Sequence, residues 1–401
     1  MTVHIVGGGM AGLATAVSCV VRGLPVAIYE AAPRFGGRCA TFLDHDLGVE
    51  IDNGTHVVVS ANTSTMRYLA MTGGLASLIP ARTGRISMRD LRTGYSFSAT
   101  SRLSWRDGVA MLRLALSEPG APALRSLSPS RAVAAFWEPM CTATLNTPLR
   151  EADARLLWRT VRRMFVRTRE GPVPLLAATS LAATYVDPAA AWLKLQGAAL
   201  HTTVMITEGE GDAGRVTRLI ARDRAVDIGD DDAVVIAVPF WSPLLEGIGI
   251  NPSRFVSSPI VNVTFRLAGA PANDIGLTGL IGGTSHWLMV RQRTATVTVS
   301  AAEDLIDRSA EEIAADIWRE VAPVLDLSQA DQPPFRVIKE RRATLRHTAA
   351  MQRLRPGPKT RWQNVTLAGD WVPKSLPCTI ESAIASGFAA AAALSGKRNQ
   401  R

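Results

Sequence analysis

The chain has 401 residues, 47% hydrophobic and 20% charged, with a formal net charge of +9. That length and apolar content suit two domains with full cores and exclude a disordered or low-complexity polypeptide. The four cysteines, Cys19, Cys39, Cys141 and Cys378, are scattered without metal-ligand spacing, which points to a reducing cytosol and to no structural metal.

The first element is a short apolar strand from Val3 to Val6, running into a Gly-x-Gly-x-x-Gly turn at Gly7, Gly9 and Gly12. Such a turn lets backbone approach a pyrophosphate whose charge rests on the N-terminus of the following helix. The helix pattern of Met10 to Val21 leads to a second apolar run, Val26 to Tyr29, closed by Glu30. An acid there can accept hydrogen bonds from adenosine ribose hydroxyls, so the opening unit reads as a dinucleotide site. No Lys or Arg precedes the apolar helix, which argues against an export signal.

The stretch from Phe35 to Ser60, with Asp52-Asn-Gly-Thr-His56 after a predicted strand, continues that unit. From about Pro80 the character changes to an inserted mixed domain. Ser87 to Phe97 reads as a hairpin turning near Thr93-Gly94, and Ser104 to Leu116 and Arg131 to Leu145 read as helices. Between Ala154 and Arg169, Arg155, Arg159, Arg162, Arg163 and Arg167 fall on one side of a helical wheel. Leu157, Trp158, Val161, Met164 and Phe165 fall on the other. A basic amphipathic helix of this kind is either a solvated face over a core or a contact with an anionic membrane surface. No nucleic-acid module accompanies it, so nucleic acid is not an expected partner.

Asp187-Pro188 starts a helix through Leu195, and Gly197 to Ile206 returns to strand. A second glycine pattern, at Gly209, Gly211 and Gly214, leads into Arg215 to Ile220 and reads as a hairpin turn rather than a second dinucleotide site. Val234 to Pro239 reads as a buried parallel strand of the first sheet. The alternating runs Val261 to Leu267 and Ala295 to Ser300, followed by a helix at Ala310 to Val321, form a second excursion whose strands should pair with the first insertion. No run reaches the length of a membrane-spanning helix. Last, Val365 to Trp371 is a strand delivering Gly369-Asp370, and Leu376 to Gly387 leads into an alanine-rich helix. An aspartate after a strand and a helix N-terminus form a second grip, so one extended dinucleotide such as FAD is held from both chain ends.

With Gly36-Gly37-Arg38 after Glu30 and Gly369-Asp370 before the final helix, the chain resembles the FAD-dependent amine oxidase and carotenoid desaturase superfamily. Within it, Trp137 to Pro148, Asp52 to His56, Val186 to Ala189 and Leu367 to Ala383 resemble the squalene-associated desaturase-like family, the hydroxysqualene dehydroxylases. The resemblance runs in order along nearly the whole chain. It departs from the family at Thr55, where a glutamine is usual.

The resemblance implies an α/β fold, with a Rossmann-like FAD-binding domain over residues 1–80, 197–256 and 356–401 and an inserted α+β substrate domain over 81–196 and 257–355. It implies removal of the allylic hydroxyl of hydroxysqualene, with reduced FAD as hydride donor and an external reductase or reduced flavin as electron source. By motif position, Gly7, Gly9 and Gly12 line the pyrophosphate, Glu30 the ribose, and Arg38 the phosphates or ribityl chain. Gly369 and Asp370 meet the ribityl or pyrophosphate groups, Thr379 and Ile380 the pyrimidine edge, and Val204 the adenine. His56 is the first candidate proton source, with Glu50, Asp52 and Tyr185 behind it. Trp137, Asn146, Trp287 and Trp371 are candidates to line the hydrocarbon or stabilise a cation. The expected location is cytoplasmic, peripheral on the inner face of the cell membrane if the basic helix touches lipid. Two other readings stay open: an oxidative polyene desaturase or amine oxidase, and a non-catalytic prenyl-lipid carrier of the same architecture.

Overall fold

The computed structural model describes residues 1–81, 86–99, 105–127, 132–165, 172–271 and 276–398. Its first sheet is parallel, with strands in the order Ala199–His201, Val26–Tyr29, Val3–Val6, Ala233–Ile236 and Val365–Leu367. Val3 sits opposite Val26 on one side and Ala233 on the other, while Val234 faces Val365. Continuous apolar runs form these strands because helices or loops cover both faces, leaving no solvent side to favour alternation. The chain leaves Val3–Val6 in one direction for Val26–Tyr29 and returns later on the opposite side with Ala233–Ile236. The crevice at that reversal is where doubly wound sheets bind ligands.

Helix Met10–Val21 packs against the sheet and against helix Ile380–Arg398. The helices touch closely at Gly387, where a Cβ would fall 2.4 Å from the Ala11 carbonyl oxygen. The first and last helices among the described residues are thereby joined beside the glycine turn.

A second sheet has seven strands, in the order Phe335–Leu345, Ser257–Arg266, Thr294–Ser300, Trp287–Arg291, Leu277–Ile281, Ser87–Asp90 and Ser96–Ser98. The two excursions share this sheet, but the strands named from the sequence, Ser257–Arg266 and Thr294–Ser300, pair with each other and with strands of their own excursion; the link to the first insertion is Leu277–Ile281, parallel to Ser87–Asp90. Helix Ala310–Val321 starts at a capping box of Ser309 and Glu312 and buries Ile313, Ile317, Trp318 and Val321 on the sheet. The Ser87–Ser98 hairpin and helices Trp105–Ala115, Asp187–Leu195 and Ala154–Phe165 also form as read. The segment before Leu145 is less regular: a π-helical turn over Val133–Trp137 precedes helix Glu138–Leu145. Arg131 and Arg167 lie outside the described residues. The second glycine pattern is the expected hairpin between Ile206–Asp212 and Arg215–Ala221, turning at Ala213 and Gly214 with φ of 44° and 81°.

Candidate active site

The glycines of the first turn have different jobs. Gly7 adopts φ 103°, donates its N–H to the Tyr29 carbonyl at 2.8 Å and lies so close to Ala237 that a Cβ would meet its oxygen at 2.6 Å. A Cβ on Gly12 would fall 1.9 Å from the Gly7 oxygen, so its bareness lets the helix press onto the strand. Gly9 is different: the nearest protein atom to its Cβ position is the Gly36 oxygen at 3.9 Å. Its missing side chain leaves open space at the N-terminus of helix Met10–Val21.

Glu30 is buried, and its carboxylate accepts from the Gly8 amide at 2.7 Å and the Ala32 amide at 2.8 Å. Each oxygen keeps a second lone pair for a ribose hydroxyl. The Val204 amide donates to the Glu30 carbonyl at 2.8 Å, which leaves Val204 only its carbonyl for a ligand.

Arg38 joins the two ends of the chain. Its Nη2 donates to Asp370 Oδ1 at 2.7 Å and its Nη1 to the Ala343 carbonyl at 2.6 Å, with the guanidinium over Trp241 at 5.5 Å from the ring centroid. Burial opposes the Arg38 charge, but the Asp370 carboxylate outweighs it and holds the guanidinium protonated. Gly369, at φ 149°, leaves no room for a side chain beside the Trp371 indole and donates its N–H to Ser386 Oγ at 2.8 Å. Thr379 Oγ1 accepts from the Ser382 amide at 3.3 Å, and Ile380 begins the final helix.

The proton-source candidates fare unequally. Glu50 is solvent-exposed on the short strand Val49–Asp52, so water rather than a substrate cavity surrounds its carboxylate. Asp52 is an anchor: Oδ1 accepts from Thr41 Oγ1 at 2.6 Å and the Leu181 amide at 2.9 Å, and Oδ2 pairs with Arg291 at 2.8 Å. His56 Nε2 lies 3.3 Å from the Asn53 carbonyl, and burial pulls its pKa below the ordinary value, so the imidazole is neutral near pH 7. Tyr185 is buried in the π-helical turn Ala182–Val186, its hydroxyl without a protein partner, and burial drives its pKa up. Asn53 Oδ1 and Thr55 Oγ1 are likewise buried without a protein partner. The loop carrying them rests on Asn262 and Thr298 of the second sheet, with the Thr55 amide 3.4 Å from Thr298 Oγ1.

Residues 5–71 match the NAD(P)-binding Rossmann-like domain family, and residues 207–395 the flavin containing amine oxidoreductase family. Hydroxysqualene dehydroxylase of Rhodopseudomonas palustris is 33% identical over 97% of both chains, and that of Zymomonas mobilis 32% identical over 97% of both. The chain belongs to the hydroxysqualene dehydroxylase family. It is a flavin-dependent oxidoreductase. A probable zeta-carotene desaturase of Synechococcus elongatus is more distant, 24% identical over 98% of both chains. Among solved structures, putrescine oxidase superposes with a TM-score of 0.73 at 16% identity, covering 99% of each chain. Cyclohexylamine oxidase of Brevibacterium oxydans gives 0.72 at 16%, again over 99% of each. These two likenesses show the shared fold.

In this member of the hydroxysqualene dehydroxylase family, three of the four residues named as hydrocarbon-lining are structural. Trp137 is buried and donates Nε1–H to Asp107 Oδ1 at 2.8 Å. Trp371 is buried and donates to the Val238 carbonyl at 3.1 Å. Asn146 ends helix Glu138–Leu145 at φ 46° and bonds Ser258, Thr344 and Ala301 with its amide. Trp287 alone stays half-buried, packed near Met88 and Val57. Sequence reasoning missed Arg355, whose guanidinium is buried and donates to the carbonyls of Asp370, Trp371, Pro373 and Leu376. Nothing local in the sequence marks it, because its partners are backbone atoms of a loop.

Proposed function

We propose that the protein binds FAD between its two chain ends and converts hydroxysqualene to squalene. The observation that carries this reading is the end-to-end likeness to hydroxysqualene dehydroxylases, 33% identical over 97% of both chains. The geometry supports it. Open space at Gly9 meets the helix N-terminus, as a pyrophosphate requires, and the Arg38–Asp370 pair offers charge and acceptor to the phosphate-linked and ribityl groups. The unpartnered oxygens of Asn53 and Thr55 suit a polar ligand edge. Glu30 takes the ribose, and the backbone at Thr379 and Ile380 faces the pyrimidine.

The reaction breaks the allylic C–O bond, releases the hydroxyl as water with one added proton, and puts a hydride on the carbon. Reduced FAD, when bound, supplies that hydride. The chain must exclude water and hydrogen-bond the departing hydroxyl. We assign that bond to Tyr185, whose burial keeps its proton in place. His56, neutral and tied to Asn53, shapes the loop instead. On this reading electrons come from a separate reductase or from reduced flavin, the Gly209–Gly214 pattern being a hairpin rather than a dinucleotide turn. An apolar substrate also favours entry from a bilayer.

The test is anaerobic incubation of chemically reduced holoenzyme with hydroxysqualene. The expected product is squalene carrying one non-exchangeable deuterium when the reaction runs in D2O, whose deuterons exchange onto the reduced flavin N5, with Tyr185→Phe slower by about 10²-fold at unchanged FAD content. Oxidation of a polyene by the enzyme's own FAD, with hydroxysqualene untouched, would replace this reading with the desaturase one.

A further inference from the structure

Helix Trp105–Ala115 is apolar on two opposite faces. Inward, Asp107, Ala110 and Leu114 are buried, with Asp107 accepting the Trp137 indole N–H. Outward, Trp105 is 77% exposed, Val109 40%, Leu112 58% and Leu116, in the turn just beyond, 75%. At about 100° per residue these four side chains fall within about 60° of arc, a continuous ridge where a helix on a soluble protein carries polar groups. Arg106 and Arg113 flank the ridge on one side. Helix Ala154–Phe165 lies alongside, joined through Arg155 Nε to the Ser117 carbonyl at 2.8 Å, and turns Arg159 and Arg162 to solvent. The acidic residues of 105–127 are Asp107, which is buried, and Glu118; Ala154–Phe165 has none.

We propose that this ridge is a membrane-insertion surface that seats the protein on an anionic bilayer. An indole at the ridge end and leucines one turn apart match the depth of an interfacial helix, while arginines beside them meet lipid phosphates. Exposed apolar area alone would also suit a second protein. The surrounding positive charge selects the anionic lipid surface. The arginines divide between two tasks: Arg155 and Arg163 are held within the protein, by Ser117 and by Glu381 at 3.3 Å, and Arg159 and Arg162 are the cations that face outward. The inference rests on the proposed hydrocarbon substrate only for the purpose of docking.

Flotation of the holoenzyme with vesicles of equimolar phosphatidylcholine and phosphatidylglycerol tests it. The parent is expected to float at low salt, less so in high salt, and weakly with phosphatidylcholine alone. Combined Trp105→Ser, Leu112→Ser and Leu116→Ser should cut vesicle binding by roughly tenfold or more. Arg159→Glu with Arg162→Glu should remove the preference for anionic lipid. Leu195→Ser, at a leucine 83% exposed on another helix, should change nothing. A parent that stays in solution, a serine variant that floats like the parent, or self-association that the serine variant abolishes would overturn the proposal. Turnover of detergent-dispersed hydroxysqualene, read in parallel, should be equal in parent and serine variant. Its absence in both would count against the substrate reading and leave the flotation result standing.

Discussion

Adding one side chain at a time separates the glycines of the first turn. Gly9→Val places its branches in open space, so the variant should fold with a melting temperature close to that of the parent apoprotein and yet purify without yellow colour. Gly12→Ala drives a Cβ into the Gly7 oxygen, 1.9 Å away, and should destabilise the fold itself by about 2 kcal/mol or more in chemical denaturation. The two aspartates divide similarly. Asp370→Ala should weaken FAD by about 1 to 3 kcal/mol in a fluorescence titration, the usual cost of a lost charge-assisted hydrogen bond. Asp52→Ala should leave that titration nearly unchanged and lower stability, because its carboxylate ties Thr41, Leu181 and Arg291 together.

At the scale of elements, the strand-to-helix passage from Val365–Leu367 to Ile380–Arg398 depends on two charges. Arg355 sits inside the Asp370–Leu376 loop and is neutralised by carbonyl dipoles; burial pulls its pKa down, though a guanidinium stays charged. Arg355→Met leaves those carbonyls without donors and should cost about 3 kcal/mol of stability or more, and Arg355→Lys should recover only part because it lacks the planar fork. Flavin affinity should fall in the same order, since the loop positions Asp370. Glu381 holds a second junction: its carboxylate accepts from the Ser64 and Thr65 amides and from Thr65 Oγ1, which caps helix Thr63–Thr72, and it pairs with Arg163. Four acceptor contacts on one buried carboxylate explain why Arg163 is not part of the outward basic face.

Over the whole molecule, buried histidines tie stability to pH. Burial pushes His286 down to about 4 and His347 well below its ordinary value, and lowers His56 as well. Each folded-state pKa lies below that of the unfolded chain, so the unfolded chain binds the extra protons and stability falls as pH drops below 6.5. From the His286 shift alone, moving to about pH 5 should cost about 2 kcal/mol, visible as a lower urea midpoint. His286→Asn keeps an acceptor for the Ser300 amide, now 3.1 Å from Nδ1, and should flatten that slope.

The sequence by itself determined the elements whose cause is local: the glycine turn, where φ and close approach admit no side chain, the apolar parallel strands, the hairpin at Gly214 and the start of helix Ala310–Val321 at its cap. The family resemblance, not local pattern, assigned Arg38 and Asp370 to one ligand, and the structure pairs them at 2.7 Å. Only the tertiary structure decided which residues remained available for chemistry. Asp52 and Asn146 carry the right groups, but their side-chain atoms are committed to backbone and to distant side chains, while the His56 Nε2 is taken by the Asn53 carbonyl and the Val204 amide by the Glu30 carbonyl. Trp105 and Leu116 lie in a stretch read only as helical, about three turns apart, and proved to face solvent. Periodicity shows which residues share a face, whereas whether that face meets protein or water depends on neighbours far away in the chain.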